Sequence, residues 1–116
     1  KVFAGGELVP DMEVLDAVRR GTVQIGHDPS YYHRGKIAWA DYFTTVPFGL
    51  NVNEMNAWLY YGGGLDLWHE LYDPLNLVPF PVGNTGVQML GWFNKKIQSI
   101  NFTDIYLNRL YLTLIM

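Results

Sequence analysis

Pro10-Asp11-Met12-Glu13-Val14-Leu15-Asp16-Ala17-Val18-Arg19-Arg20-Gly21-Thr22-Val23-Gln24-Ile25 is the stretch that decides the class of fold. Proline costs nothing at a first helical position, because that N–H has no partner inside the helix. Asp11 and Glu13 then fall in the first turn and Arg19 and Arg20 in the last, each matched in sign to the helix dipole. Gly21 is a natural stop. Val14, Leu15 and Val18 form one apolar stripe at helical spacing. Thr22–Ile25 reads as a strand. Upstream, Lys1–Val9 is long enough for a short strand, with Gly5-Gly6 as a turn or bulge. Strand, helix and strand in this order predict a βαβ unit, and with it an α/β fold.

In open α/β sheets, ligands bind in the loops beyond strand C-termini. The loop after the second predicted strand is Gly26-His27-Asp28-Pro29-Ser30-Tyr31-Tyr32-His33. A phenol placed there can stack on a small ligand and hydrogen-bond to it, or simply pack, so Tyr31 and Tyr32 carry both readings. Further along, Ala38–Phe43 reads as a short helix or loop, and Thr44–Leu50 as an irregular or edge strand. Asn51 or Asn53 caps a helix whose stripe is Met55, Trp58 and Leu59. Gly62-Gly63-Gly64 ends or breaks it. Leu65, Trp68, Leu71 and Tyr72 continue the helical spacing until Asp73-Pro74 stops it. The aromatic members of these stripes read first as core packing.

Phe80–Phe93, fenced at its start by Pro79 and Pro81, concentrates three glycines and two amides, with Val87–Phe93 as a further strand. Asn84 and Gln88 are neutral amides among apolar neighbours, and such groups are costly to bury unless something satisfies them. A turn or the backbone can do so, as can a polar ligand or a hard cation. The tail Ile100–Met116 fits either a strand or a nearly all-apolar helix.

Composition narrows the function. The 116 residues suit one modest domain, and 49% hydrophobic with 16% aromatic residues argues for a packed core. A net charge of −3 without a basic run argues against nucleic acid. The absence of cysteine excludes a disulfide scaffold and a cysteine zinc site. No apolar run reaches the length of a membrane span. Lys1–Glu7 lacks the apolar centre of a signal peptide and the sequence has no initiating Met, so it reads as a mature product or an excised piece.

Catalytic motifs are weak. His69-Glu70-Leu71-Tyr72-Asp73 matches the first half of a zinc-protease helix but has Asp where the second His is required. Gly62-Gly63-Gly64 follows a helix instead of opening one, the wrong side for a phosphate cradle. Ser30 and Ser99 lack a nucleophile-elbow setting. His27 and Asp28 remain as an acid–base or metal pair, the basis of an alternative reading as a small hydrolase, beside the plainer reading that they stabilise their loop. The balance favours binding over catalysis.

Six segments stand in sequence: Gly6–Pro10, Glu13–Val18, Ser30–Tyr32, Val46–Leu50, Glu54–Gly64 and Gly83–Met89. Together they resemble the periplasmic substrate-binding subunit of tripartite ATP-independent periplasmic (TRAP) transporters, in the DctP-type branch that binds 2-oxo and 2-hydroxy monocarboxylates. The likeness covers residues 1–97. It implies a partial first lobe of a two-lobe periplasmic-binding-protein-like fold, with βαβ units and a crossing strand. Residues 98–116 form a divergent tail, which a truncated or frameshifted reading would explain. The resemblance further implies a periplasmic location, TRAP membrane subunits as partners, no covalent cofactor, and a bridging Na+ or Ca2+. By matching motif, Gln88 is the amide ligand of the cation or carboxylate, Asn84 its polar neighbour, and Tyr31 and Tyr32 the cleft wall. These residues are expected together at the strand C-termini. The family's Arg for the carboxylate lies in a part that this chain does not include. An uncovered interlobe face implies self-association.

Overall fold

The computed structural model of the chain describes residues 1–44, 46 and 49–86, and residues 111–115 as backbone. Six regular elements follow in order: α1 (Val14–Arg19), β1 (Gly26–Asp28), α2 (Val52–Tyr61), α3 (Gly64–Tyr72), β2 (Pro79–Asn84) and β3 (Tyr111–Ile115). Short 3-10 turns stand at Asp11–Glu13, Ser30–His33, Ala40–Phe43 and Asp73–Leu75. Helices packed on one sheet make this an α/β arrangement, as the sequence implies.

The first predicted strand is not formed. At its centre the backbone closes a local turn instead, with Glu7 N–H on the Ala4 carbonyl at 3.1 Å and Ala4 N–H on the Glu7 carboxylate at 2.7 Å. Donors bonded within their own turn cannot serve a ladder. The second predicted strand is displaced from Thr22–Ile25 to Gly26–Asp28 for a related reason. The end of α1 claims the amides: Gly21 N–H bonds to Val18, and Thr22 and Val23 N–H both reach the Ala17 carbonyl. Gly21 itself takes the left-handed φ of 71° expected of the residue that stops a helix.

The sheet has the order β1-β3-β2, and both pairings are antiparallel. This differs from a βαβ unit, in which the neighbouring strands would be parallel. Thr113 stands opposite Asp28 on one side and Pro81 on the other. Strands β1 and β2 therefore run the same way on either flank of β3, and their C-termini leave at the same end. The ladder is irregular between Pro81 and Gly83. Proline has no N–H to donate, so a strand holding two of them belongs at an edge, where β2 lies. The expected strand over Val87–Phe93 lies outside the described residues. The tail supplies β3, which answers the choice between strand and helix in favour of a strand over Tyr111–Ile115.

The core gathers Leu15 and Val18 of α1, Met55 and Leu59 of α2, Trp68 and Tyr72 of α3, with Ile37, Ala40, Phe43 and Leu77 from the connections. Each large side chain removed from water contributes about 1.5–3 kcal/mol. Aromatic rings run through its centre. Trp58 stacks on Phe43 with centroids 5.7 Å apart, Phe43 on Trp68 at 5.1 Å, and Trp68 meets Tyr72 edge-on at 6.3 Å.

Asn51 caps α2. Its Oδ1 accepts from Glu54 N–H at 3.0 Å, and the Glu54 carboxylate accepts from Asn51 N–H at 2.8 Å. This reciprocal pair is a capping box. The helix stops at Tyr61, and only Gly62 and Gly63 separate it from α3.

Candidate ligand-binding site

Two clefts open among the described residues. The larger, about 210 Å3, lies between the N-terminus of α2 and the end of β2. Tyr42, Val46, Leu50, Met55 and Trp58 give it apolar walls, and Asn84, Asn51 and Thr44 are among its polar lining residues. The second, about 200 Å3, lies beside β1 and is lined by Asp11, Val14, His27, Asp28, Pro29 and Tyr32, among others.

The Gly-rich turn packs behind Trp58, one wall residue of the larger cleft. A Cβ on Gly64 would stand 2.7–2.9 Å from three ring atoms of Trp58. Only glycine lets α3 start against the face of that indole. Gly62 and Gly64 thus both pack on Trp58, while Gly63 between them takes a left-handed φ of 81°. Sequence reading assigns Trp58 to the core, and the structure gives it a second face, on the cleft.

Asn84 uses its Oδ1 to accept the Gly86 N–H at 2.7 Å, a side-chain turn of the kind expected of an amide in a Gly-rich loop. It also lines the larger cleft. Tyr32 lines the other one, and Tyr31 stands against it with centroids 4.8 Å apart and rings nearly perpendicular. Asn84 and the two tyrosines therefore share the C-terminal end of the sheet but not one cleft, and β3 runs between the strands that carry them. Gln88 lies outside the described residues. Burial pushes the Tyr31 phenol above its ordinary pKa, and its hydrogen bond with Tyr32 adds to the shift.

The hydrolase alternative does not fit this geometry. Burial alternates along β1, so His27 is exposed while Asp28 is 4% exposed. Neighbours on a strand point to opposite faces. Asp28 instead accepts from His33 Nε2 at 2.7 Å, and His33 and Ser30 are both 0% exposed. His33 and Ser30 have no exposed surface through which a substrate could reach them. Asp28 Oδ1 and His33 Nδ1 have no hydrogen-bond partner among the described residues. Ser30 and the Trp68 indole N–H approach the Tyr72 hydroxyl, but neither closes a well-directed bond with it. His69 is also structural: its Nε2–H donates to the Pro79 carbonyl at 3.1 Å and ties α3 to β2. Sequence reading did not single out His33, and its only signal was a place five residues after Asp28.

No group of three or more His, Asp or Glu side chains that could hold a metal ion occurs among the described residues. No helix among them is long and apolar enough to cross a membrane.

Comparison with known proteins gives this geometry its context. The chain is 52% identical over 99 residues to a monocarboxylate 2-oxoacid-binding periplasmic protein of Nostoc sp., covering 85% of this chain and 27% of that protein. A TRAP transporter solute-binding protein of Bordetella bronchiseptica, solved with calcium and picolinate, is 46% identical with a TM-score of 0.78. That match covers 85% of this chain and 30% of the other. A TRAP periplasmic solute-binding protein of Pseudoalteromonas atlantica, solved with sodium and pyruvate, is 51% identical with a TM-score of 0.70 over 74% of this chain and 26% of its own. One from Colwellia psychrerythraea, solved with calcium and pyruvate, is 49% identical with a TM-score of 0.71, covering 75% and 26%. The chain thus spans 27% of the length of the curated relative, and similar shares of the solved ones. The family profile of the bacterial extracellular solute-binding proteins, family 7 (DctP) matches residues 1–102, and the chain belongs to that family.

Proposed function

We propose that this chain is part of a periplasmic receptor that binds a small 2-oxo or 2-hydroxy monocarboxylate together with Na+ or Ca2+ and delivers it to TRAP membrane subunits. The observation that carries this reading is the close match in both sequence and fold to receptors solved with pyruvate beside sodium or calcium. The reading is of a receptor and not an enzyme. It rests on the family, whose members are solute-binding proteins, and on Asp28 being engaged by His33 and not by His27.

The chemistry of the larger cleft supports the division of labour. Its walls suit the apolar part of a short acid, and an amide among its lining residues suits a carbonyl or hydroxyl oxygen. A hard cation prefers oxygen donors and offsets the charge of the acid in a low-dielectric site. Asn84 Oδ1 already accepts from Gly86, and no group of three or more His, Asp or Glu side chains that could hold a metal ion occurs among the described residues. We assign the amide ligand of the cation to Gln88, on the resemblance. On the same resemblance we assign Tyr31 and Tyr32, which stand at the second cleft and not at the larger one, to ligand contact from the β1 side.

The test is calorimetry on a receptor completed with the downstream part of a solved relative. Pyruvate is titrated in calcium, in sodium and in chelator. Binding that needs the cation, and that weakens in Gln88→Ala, supports the assignment. Absence of binding in the completed receptor overturns it.

A further inference from the structure

We propose that Asp28 and His33 are positioning residues for Tyr31 and Tyr32, acting through the single buried bond that fastens both ends of the segment carrying the two phenols. The proposal rests on the reading of those tyrosines as ligand wall. Asp28 is the last residue of β1, and His33 is the last of the 3-10 turn that follows. Their side chains meet at 2.7 Å, with 3% and 0% of each exposed. Between them Ser30 is fully buried, while Tyr31 and Tyr32 are only half-buried. The segment thus turns its small polar groups inward and its two rings outward.

The backbone follows the same plan. Tyr32 N–H bonds to the Pro29 carbonyl at 3.1 Å and Arg34 N–H to Tyr31 at 3.3 Å. Lys36 and Ile37 N–H both reach the His33 carbonyl at 2.8 Å. His33 is therefore the point where the turn is anchored from both its side chain and its main chain. Neither Asp28 Oδ1 nor His33 Nδ1 has a second partner among the described residues, so the side-chain constraint runs through one bond. A buried ionisable pair is a poor source of stability, since apolar groups of the same volume do as well or better. What such a pair supplies is direction, here the direction in which the rings of Tyr31 and Tyr32 leave the turn.

The test uses the 116-residue chain with ring-labelled tyrosine, resonances being assigned with Tyr31→Phe and Tyr32→Phe. Proton NMR reads the contact between the two rings, and the Trp58–Phe43 contact reports the core. In His33→Leu and His33→Phe the tyrosine contact should be lost, and the Tyr31 phenol should titrate nearer its ordinary value, while the core contact persists. His33→Gln, whose amide N–H reaches Asp28, should restore both. Survival of the ring contact in His33→Leu overturns the proposal. So does failure of His33→Gln to restore it, or loss of the core contact in both apolar variants, which would make the pair a determinant of the whole fold. A separate arm adds pyruvate with calcium to the ring-labelled receptor completed with the downstream part of a solved relative, which calorimetry shows to bind. Tyrosine rings that depend on His33 but do not respond to pyruvate would sink the ligand-wall reading and leave the positioning role standing.

Discussion

Two residues show how local chemistry is decided by its neighbours. Gly64 opens a helix, and alanine there would gain up to about 1 kcal/mol of helix propensity. The same Cβ would press on the stacked Trp58 ring, and overpacking of that kind costs about 1–3 kcal/mol. The clash wins, so Gly64→Ala should lower stability by about 1–2 kcal/mol and disturb tryptophan fluorescence, as a urea titration would show. Tyr72 presents the opposite case. Its hydroxyl is buried without a well-directed bond. Burial pushes the phenol above its ordinary 10.0, Ser30 and Trp68 oppose the shift, and the charge of Asp28 adds to it. A raised phenol pKa means that folding favours the neutral form. The stability linked to Tyr72 is therefore complete below about pH 10, the unfolded value, and is lost as pH rises through the folded one. Tyr72→Phe should leave stability at neutral pH unchanged or raise it by up to about 1 kcal/mol, and should reduce the alkaline loss. Thermal melts of both proteins across alkaline pH check this, and a parallel fall in the two would count against the assignment.

At the scale of elements, legibility followed the range of the forces involved. Helices whose ends are set by their own residues were legible: Asn51, one of the two asparagines expected as a cap, starts α2, and Asp73-Pro74 ends α3, although the part of Glu54 in the cap was not foreseen. Asn51→Ala should cost about 1 kcal/mol, and serine at the same position should recover most of it, as thermal melts of the two variants would show. Strands were less legible, because their partners are distant in sequence. Lys1–Val9 has strand composition but bonds within its own turn, and β1 slid to Gly26 once the end of α1 had claimed the amides of Thr22 and Val23. No local pattern reveals that residues 111–115 pair with both β1 and β2. Of the candidate site, Tyr31 and Tyr32 follow β1 and Asn84 ends β2, but they line no common cleft among the described residues, and Gln88 lies outside them. The bond between Asp28 and His33 was not legible, because it depends on the pitch of a 3-10 turn, and the cleft face of Trp58 was not, because it depends on how α3 packs against α2.

At the scale of the whole molecule, the chain covers 27% of the curated relative it resembles. Phe3, Ile25, Trp39, Tyr42 and Val82 are all more than two-fifths exposed. Apolar surface of that kind promotes association. The 116-residue chain should therefore sediment as oligomers, and a monodisperse monomer would count against an uncovered interlobe face. The same incompleteness bears on affinity. No Arg or Lys is among the described residues that line either cleft. A carboxylate held in a dry site needs a cation or a guanidinium, and each charge-assisted bond contributes about 1.5–3 kcal/mol. Forgoing two of them weakens binding by roughly two to four decades. A cleft open to water loses more, since closure is what excludes solvent from the ligand. This chain alone should give no calorimetric signal for pyruvate at micromolar concentrations, with or without calcium. The completed receptor should bind pyruvate, and Gln88→Ala in it should weaken binding and flatten its dependence on the cation. Tight binding by the 116 residues alone would mean that the whole site lies within them, and the clamp formed with the rest of the receptor would have to be abandoned.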